Sequence, residues 1–136
     1  MILADTSAWV EFDRATGSQV HRRLSQLIGS GEQLATSEPV VMEVISGARD
    51  DRRERELRRL LMRFRLLRID AAVDFDGAAR IYRRCRSAGV TPRGMIDCMI
   101  ASVAQRSKAA ILAHDIDLVR VAGVMGIDLD GASLKV

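Results

Sequence analysis

Five acidic residues stand where a charged side chain is unexpected, either at the end of an apolar run or inside an apolar stretch. Two runs, MILAD and AILAHDID, end in aspartate, and two others, VVMEVI and MIDCMIASVA, contain a single acid. Burying a carboxylate costs free energy unless it is hydrogen-bonded, paired or bound to a cation. The candidates for chemistry are therefore Asp5, Glu43, Asp97, Asp115 and Asp117.

A shared metal ion would explain this pattern. Carboxylates within a few ångströms of each other repel and raise one another's pKa, and a hard divalent cation removes that repulsion. Oxygen-only ligands suit Mg²⁺ or Mn²⁺, and the two histidines and two cysteines show no zinc-type spacing. We therefore predict a Mg²⁺ or Mn²⁺ site. Each acid also has a structural alternative: Asp5 and Asp115 as helix caps, and Asp97 as a helix-dipole partner.

Such a site predicts hydrolysis of a phosphodiester. A bound cation lowers the pKa of its water and supplies hydroxide near neutral pH. A carboxylate that the metal does not fully occupy, Glu43 or Asp115, is expected to position that water or to take its proton. The cation, single or paired, offsets the charge that develops during in-line attack.

The elements that must position these acids are short strands alternating with helices. Apolar runs predict strands at residues 1–4, 34–36, 66–69, 110–113 and 127–129. Helical spacing predicts helices over 6–28 with a break near Gly17, over 39–47, 50–64, 73–88 and 95–107, and from HDID to about 122. Strands so short and apolar favour a parallel sheet covered on both faces, in one three-layer α/β/α domain over residues 1–136. Ligands bind at the carboxyl ends of such strands, where Asp5 lies.

Composition narrows the function classes. The chain is 48% hydrophobic and 29% charged, with no apolar run long enough for a membrane helix, and strand-like residues begin at Met1 without a leader pattern. The formal net charge is +3, and all but two of the 21 basic residues are arginine. Arginine enrichment indicates a polyanionic partner or a GC-rich genome. Cys85 and Cys98 are predicted to be buried thiols, consistent with a cytoplasmic protein.

Four motifs together resemble one family. D-T-S follows the first strand, E-V-x-x-G lies on the predicted helix over 39–47, and R-x-x-x-D-C-x-I-A and H-D-x-D come later in the same order. This succession resembles the PIN-domain ribonucleases, above all the VapC toxins of VapBC toxin–antitoxin modules, and it covers the whole chain. The resemblance implies a PIN-like fold and a Mg²⁺- or Mn²⁺-dependent endoribonuclease that leaves 5′-phosphate and 3′-hydroxyl ends.

The resemblance also implies a role for each acid. Glu43 matches the family's second acid, and the expected direct metal ligands are Asp5, Asp97 and, at the fourth position, Asp115 or Asp117. His114 is followed at once by an aspartate, one residue short of the usual H-x-D-x-D-F, and Leu118 stands where an aromatic residue is usual. Which of the two aspartates faces the metal therefore stays open.

Other polar residues are expected to support the site. Thr6 and Ser7 are candidates to orient Asp5 through hydrogen bonds, or equally to cap the first helix. Gly94 stands where many relatives carry a serine that precedes the third acid. If that serine binds phosphate, Thr91 and Arg93 must take over its contact with the RNA.

By resemblance, the expected partners are an RNA substrate, a VapB-type antitoxin whose arm covers the site, and a second copy of the chain in a homodimer. The arginines at residues 49–68 and 80–86 are either solvated helix faces or a track for RNA phosphates, and the apolar face at 57–64 is either core or an antitoxin groove. The alternative function is a non-catalytic PIN-like module that binds RNA or protein. A dehalogenase-type phosphatase needs D-x-D after the first strand, but Ser7 stands at the second aspartate's place. A receiver domain needs paired acids before its first helix and a lysine that follows a late strand, and the sequence does not show this pattern.

Overall fold

The computed structural model describes residues 1–136, which form four strands and seven helices. The strands are β1 (Ile2–Ala4), β2 (Leu34–Thr36), β3 (Arg65–Leu66) and β4 (Ala110–Leu112). The helices are α1 (Thr6–Asp13), α2 (Gln19–Ser30), α3 (Glu38–Ser46), α4 (Asp51–Leu61), α5 (Asp74–Ser87), α6 (Met95–Ser107) and α7 (Ile116–Met125). Helices separate all successive strands, as the sequence predicted.

The four strands form one parallel sheet in the order β3-β2-β1-β4. Leu3 of β1 pairs with Ala35 of β2 on one side and with Ile111 of β4 on the other. Successive residues of a strand point to opposite faces, yet Leu3 and Ala4 are both fully buried. Helices therefore cover both faces, and the predicted three-layer α/β/α architecture is confirmed.

The strand order reverses at β1. The chain passes from β1 through β2 to β3 on one side, and α5 and α6 then carry it to β4 on the other side of β1. In open α/β sheets, ligands bind in the crevice outside the carboxyl ends of the strands at such a switch point. Asp5 directly follows β1, and Asp115 lies three residues after β4. The topology thus brings both acids to this crevice.

The predicted break in the first helical segment separates α1 from α2. Gly17 lies in the break with a φ of +77°, a conformation that side-chain-bearing residues rarely adopt. Ser18 then caps α2 by accepting a hydrogen bond of 3.1 Å from the backbone N–H of His21. This turn reverses the chain direction, and α2 packs against α1.

A buried ion pair joins α5 to α6, the helix that carries Asp97. The Asp74 carboxylate is fully buried and accepts hydrogen bonds from the Ser102 hydroxyl at 2.8 Å and from two nitrogens of Arg106 at 3.2 and 2.7 Å. Burial alone raises the pKa of Asp74, but the hydrogen bonds from Arg106, the Asp70 backbone and Ser102 outweigh it and hold that pKa below its usual value. The network orients α6 relative to α5.

Two predicted elements are shorter than their sequence patterns. The helix predicted over 50–64 ends at Leu61, because the chain must turn before β3 begins. The strand predicted at 66–69 is the two-residue β3, which pairs only with Ala35 and Thr36 of β2. In both segments the apolar pattern continues beyond the end of the element. For β3 the limit is pairing, because only residues beside a neighbouring strand form the hydrogen-bond ladder of a sheet.

The prediction of a last strand at 127–129 is wrong, because this segment does not form a strand of the sheet. It forms only one parallel bridge, between Ile111 and Leu129, which extends the sheet beyond β4 without becoming a strand. Helix α7 continues to Met125, beyond the predicted end near 122, and stops at Gly126, whose φ is +67°.

The core includes Trp9 and both cysteines. Trp9 is fully buried and packs edge-to-face on Phe12 with ring centroids 6.0 Å apart. Cys85 and Cys98 are buried free thiols, and burial raises the pKa of Cys98 to about 11. None of the helices combines the length and the apolar composition that a membrane crossing requires.

Candidate active site

A cavity of about 440 Å³ opens at the carboxyl ends of β1 and β4. Seven of the nine residues that the sequence singled out line it: Asp5, Thr6, Ser7, Glu43, Arg93, Asp97 and Asp115. Two do not line it, Thr91 and Asp117. The structure therefore collects residues from α1, α3, the start of α6 and the β4–α7 connection at one place.

Asp5 is the most deeply buried acid of the cavity. Its Oδ2 accepts hydrogen bonds from the backbone N–H of Ser7 at 3.1 Å and from the Ser7 hydroxyl at 2.7 Å. Its Oδ1 is buried and has no hydrogen-bond partner. Burial raises the pKa of Asp5 to about 6, against the opposing effect of the Ser7 hydrogen bonds. A buried carboxylate oxygen without a hydrogen-bond partner costs folding free energy. Oδ1 of Asp5 is therefore available to bind a cation.

Ser7 connects the ends of the two central strands. Its hydroxyl donates to Asp5 and accepts a hydrogen bond of 2.8 Å from the backbone N–H of His114, which follows β4. The side chain of Ser7 thereby orients Asp5, as predicted, while Asp5 also caps α1 through the Ser7 N–H. The cap of α1 is thus Asp5 itself and not Thr6 or Ser7.

Glu43 enters the cavity from the middle of α3 and is half-buried. The Thr6 hydroxyl donates a hydrogen bond of 2.7 Å to its Oε1. This contact satisfies a glutamate whose neighbours on α3 are apolar. It also differs from the expectation, because Thr6 orients Glu43 and not Asp5.

Asp97 lies in the first turn of α6 and faces the other acids. Burial raises the pKa of Asp97 to about 7, and the negative charges of Asp5, Asp115 and Glu43 add to the effect. A carboxyl with this pKa is only partly ionised near neutral pH unless a cation compensates the shared charge. The four carboxyl groups thus create an excess of negative charge in the cavity, which a cation would neutralise.

Arg93, just before α6, supplies positive charge at one edge of the cavity. One terminal nitrogen lies 2.9 Å from Asp115 Oδ1, and its Nε pairs with Asp117 Oδ2. The two aspartates raise the pKa of the Arg93 guanidinium. Asp115 also caps α7 by accepting a hydrogen bond of 3.0 Å from the Asp117 N–H.

The donor set fits a hard divalent cation, although the carboxylates are held apart. Four acids line the cavity, and the buried Oδ1 of Asp5 has no other partner. No three Asp, Glu, His or Cys side chains stand close enough together to enclose an ion as they are. Arg93 holds Asp115 and Thr6 holds Glu43, so closing around a cation requires side-chain movement. Oxygen-only donors favour Mg²⁺ or Mn²⁺ over Zn²⁺.

Glu11 lines the cavity and was missed by the sequence reasoning. Its Oε1 lies 3.5 Å from Nε2 of His114 and accepts a hydrogen bond of 2.8 Å from Thr16. The available signal was helical spacing, because Glu11 is four residues after Ser7 and therefore on the same face of α1. Its sequence context was a second signal, because Glu11 stands between the apolar Val10 and Phe12.

A second, apolar groove lies between α3 and α4. It measures about 570 Å³, and its lining includes Val41, Met42, Ile45, Leu61, Met62 and Phe64. Met62 is 78% exposed and Met42 is 53% exposed. The face predicted at 57–64 is therefore divided: Leu57 and Leu61 belong to the core, and the side toward α3 forms the groove.

Several exposed arginines lie near the C-terminal end of α5. The last turn of α5 is followed by seven residues and then by the start of α6, where Asp97 lies. Arg83, Arg84 and Arg86 are exposed and have no carboxylate within ion-pair distance, whereas Arg80, one turn earlier, pairs with Asp76 at 2.8 Å. Unpaired guanidinium groups are free to bind an anion.

A family model described as "PIN domain" matches residues 2–124. The chain is 44% identical to Ribonuclease VapC11 of Mycobacterium tuberculosis H37Rv, with 99% of this chain and 100% of that protein covered. It has the same identity and coverage with VapC ribonuclease Mb1587 of Mycobacterium bovis.

Solved structures of low sequence identity share the fold. The DNA-bound VapBC of Salmonella typhimurium superposes with a TM-score of 0.73 at 20% identity, covering 95% of this chain and 96% of that one. VapC20 of Mycobacterium tuberculosis, described as a sarcin–ricin loop cleaving toxin, gives a TM-score of 0.67 at 20% identity, covering 88% and 93%. The fold of this chain is thus shared with these two solved structures.

Proposed function

The chain belongs to the PIN-domain family, among the VapC ribonucleases, and we propose that it hydrolyses RNA at the acidic cavity as the toxin of a toxin–antitoxin pair. The observation that carries the proposal is the convergence of Asp5, Glu43, Asp97 and Asp115 in one cavity at the strand switch point. Two of these acids, Asp5 and Asp97, have raised pKa values, and perturbed pKa values in a cleft are a mark of a functional site.

Asp5, Asp97 and Asp115 are the residues that would hold a divalent cation. The cation, Mg²⁺ or Mn²⁺, would supply a more acidic bound water and positive charge against the phosphodiester. Asp115 lines the cavity and Asp117 does not, so we propose Asp115 for the fourth position and a supporting ion pair for Asp117. Ser7 keeps Asp5 in place through its hydroxyl.

Glu43 is the proposed proton acceptor. Its Oε1 is engaged by Thr6 at 2.7 Å, which leaves Oε2 to take a proton from the attacking water. The water oxygen forms a bond to phosphorus, the bond from phosphorus to the 3′-oxygen breaks, and that oxygen leaves as a hydroxyl after taking a proton from solvent. The products carry 5′-phosphate and 3′-hydroxyl ends.

The arginines at the end of α5 are proposed to bind the RNA backbone. Arg83 and Arg86 flank a surface depression of about 310 Å³ at the same end of the molecule as Asp97. Phosphate contacts position a nucleic acid without reading its sequence. We propose that these residues hold phosphates next to the bond that is cut.

The groove between α3 and α4 is the proposed docking site of a VapB-type antitoxin. Several similar solved structures are VapBC complexes. An amphipathic helix binds an apolar groove by burying its apolar face, and the exposed Met42 and Met62 offer an adaptable surface for it. A homodimer and a cytoplasmic location belong to the same proposal, because both follow from the toxin role.

The C-terminal residues complete the domain. Leu134 lines the acidic cavity, although it lies beyond the part matched by the family model. The Ser133 hydroxyl accepts a hydrogen bond from the Ala113 N–H and donates one to the Ile111 carbonyl, both at 3.1 Å. We therefore propose that residues 1–136 act as one unit.

The test is cleavage of total RNA by the purified chain with Mg²⁺, with Mn²⁺ and with EDTA. We expect discrete fragments that need the cation and that disappear in Asp97→Asn. Asp76→Asn is the matched control, because Asp76 is exposed, pairs with Arg80 and does not line the cavity. A folded wild-type chain that binds RNA but leaves it intact under all conditions would instead support the non-catalytic module.

A further inference from the structure

Arg93 is the one guanidinium that lines the acidic cavity. It pairs with two carboxylates at once, Asp115 and Asp117. Its side chain makes no other hydrogen bond or ion pair. The guanidinium therefore supplies part of the positive charge that the acids require, while the pKa of Asp97 stays raised.

The ion pairs of Arg93 with Asp115 and Asp117 are exposed to solvent and can exchange. The Arg93 side chain is 71% exposed, and each aspartate side chain is 19% exposed. Ion pairs in contact with solvent are weak, because water screens the charges and competes for the same donors and acceptors. Asp115 needs no help from Arg93 to keep its place, because it also caps α7 through the Asp117 N–H.

A cation held by Asp5, Asp97 and Asp115 would compete with Arg93 for the Asp115 carboxylate. Asp115 interacts electrostatically with Asp5 and Asp97, so a cation held among these acids would neutralise the charge that attracts the guanidinium. A guanidinium binds carboxylate and phosphate with the same planar pattern of donors. Once released, Arg93 remains at the cavity edge, where a phosphate near the cleaved bond would lie.

We propose that Arg93 is an exchangeable clamp, which pairs with Asp115 and Asp117 in the cation-free protein and moves to a phosphate oxygen of the RNA once a divalent cation occupies the cavity. The inference rests on the proposed function and adds to it a coupling between cation and RNA. It makes Arg93 a phosphate-binding residue whose availability depends on the cation.

The test compares Arg93→Gln with wild type in two binding experiments that require no turnover. In the first, Mn²⁺ binding to the RNA-free chain is measured by electron paramagnetic resonance. We expect about threefold to tenfold tighter binding in Arg93→Gln, because a competitor for Asp115 is gone. In the second, binding of fluorescent RNA is measured in Ca²⁺, with intactness checked on a gel. We expect about threefold to tenfold weaker binding in the variant.

The matched control is Arg52→Gln. Arg52 is 86% exposed and pairs with Glu56 at 3.4 Å on α4, so the substitution removes the same charge from an ion pair outside the cavity. We expect neither binding constant to change by more than about twofold. Thermal melting of each variant confirms that the chain is folded.

Opposite changes in Mn²⁺ and RNA affinity, confined to Arg93→Gln, support the clamp. Unchanged or weaker Mn²⁺ binding would overturn it, because Arg93 would then not compete with the cation. Unchanged RNA binding would overturn the transfer to phosphate. A wild-type chain that binds no Mn²⁺ and cuts no RNA would instead contradict the proposed function itself, and the two failures are thus distinguishable.

Discussion

The Ser7 hydroxyl accepts a hydrogen bond of 2.8 Å from the backbone N–H of His114, 107 residues further along the chain. The same hydroxyl donates to Asp5 Oδ2 at 2.7 Å. One small side chain therefore joins the carboxyl ends of β1 and β4 at the position where the strand order reverses. The acidic cavity depends on this junction, because Asp5 and Asp115 approach it from those two strands.

Ser7→Ala removes both hydrogen bonds. We expect the free energy of unfolding to fall by about 1–3 kcal/mol, since the His114 N–H loses its partner. We expect RNA cleavage to fall by about 10- to 100-fold, since Asp5 loses the donor that orients it. Denaturant unfolding and a cleavage assay measure the two effects. Ser46→Ala is the control, because Ser46 is exposed and bonds only to the carbonyl of Met42; an equal loss of activity in both variants would contradict the role of Ser7.

Asp97→Asn is expected to abolish cleavage and yet to stabilise the cation-free fold at pH 8. The folded pKa of Asp97, about 7, lies above its usual value of 3.8, chiefly because the group is buried. A raised carboxyl pKa lowers stability progressively as the pH rises from about 4 through about 7. The variant has no ionisable group there, so we expect it to gain about 1–2 kcal/mol at pH 8 and almost nothing at pH 4.

Thermal melting at pH 4, 6 and 8 in EDTA measures this difference. Added Mg²⁺ should raise the melting temperature of the wild type at pH 8, because a ligand of the folded state stabilises it. Asp76→Asn again serves as the control. A variant less stable than the wild type at pH 8 would show that Asp97 is not under electrostatic stress.

Asp74→Ala is expected to destabilise the protein without touching the cavity. Asp74 is buried and accepts hydrogen bonds from Arg106 and Ser102, and its removal leaves these donors without their acceptor. We expect a loss of about 2–4 kcal/mol at neutral pH. The pKa of Asp74 lies below its usual value, so this stability is present above about pH 4 and is lost as the pH falls through the folded pKa.

Chemical unfolding as a function of pH tests this expectation. The exposed Asp76, two residues further along α5, provides the control Asp76→Ala, for which a change below about 0.5 kcal/mol is expected. An Asp74→Ala variant with the wild-type acid dependence would mean that Asp74 is not the carboxylate responsible.

The double variant Arg83→Ala/Arg86→Ala is expected to weaken RNA binding in a salt-dependent way. Each phosphate contact contributes about 0.7 to the slope of log K against log salt for single strands, so the slope should fall by about 1.4. Titration of labelled RNA in Ca²⁺ at several salt concentrations gives the slope. Arg80→Ala is the control, because its charge is already paired with Asp76; an equal change there would mean that net charge alone matters.

Met62→Glu is expected to weaken antitoxin binding and to leave RNA cleavage intact. Met62 lines the groove between α3 and α4 and is exposed in the free chain. Replacing Met62 by a charged residue removes the about 1.5–3 kcal/mol that burial of the methionine side chain contributes to the free energy of binding. This loss corresponds to about 10- to 100-fold weaker affinity. Co-purification and calorimetry with the cognate antitoxin measure the effect. Val73→Glu is the control, because Val73 lies half-exposed immediately before α5 and outside the groove. Antitoxin binding that survives Met62→Glu would place the antitoxin elsewhere.

Much of the architecture could be predicted from the sequence. Buried parallel strands have to be apolar on both faces, so β1 and β4 are recognisable as short runs without polar residues, and β2 as a run with Thr36 as its one polar member. The acids Asp5, Glu43 and Asp97 were also recognisable, because a charge among apolar neighbours needs a partner. Weak elements were misjudged where pairing decides the outcome: β3 has only two residues, and the segment 127–129 makes a single bridge.

The sequence by itself determined the alternation of strands and helices and the presence of acids at their ends, because both follow from burial and periodicity within one segment. Only the tertiary structure decided which groups meet. It places Asp115 in the cavity and Asp117 outside it, adds Glu11, and gives Thr6 to Glu43. These contacts join residues far apart in the chain, and their geometry is set by the strand order and the packing of helices on the sheet.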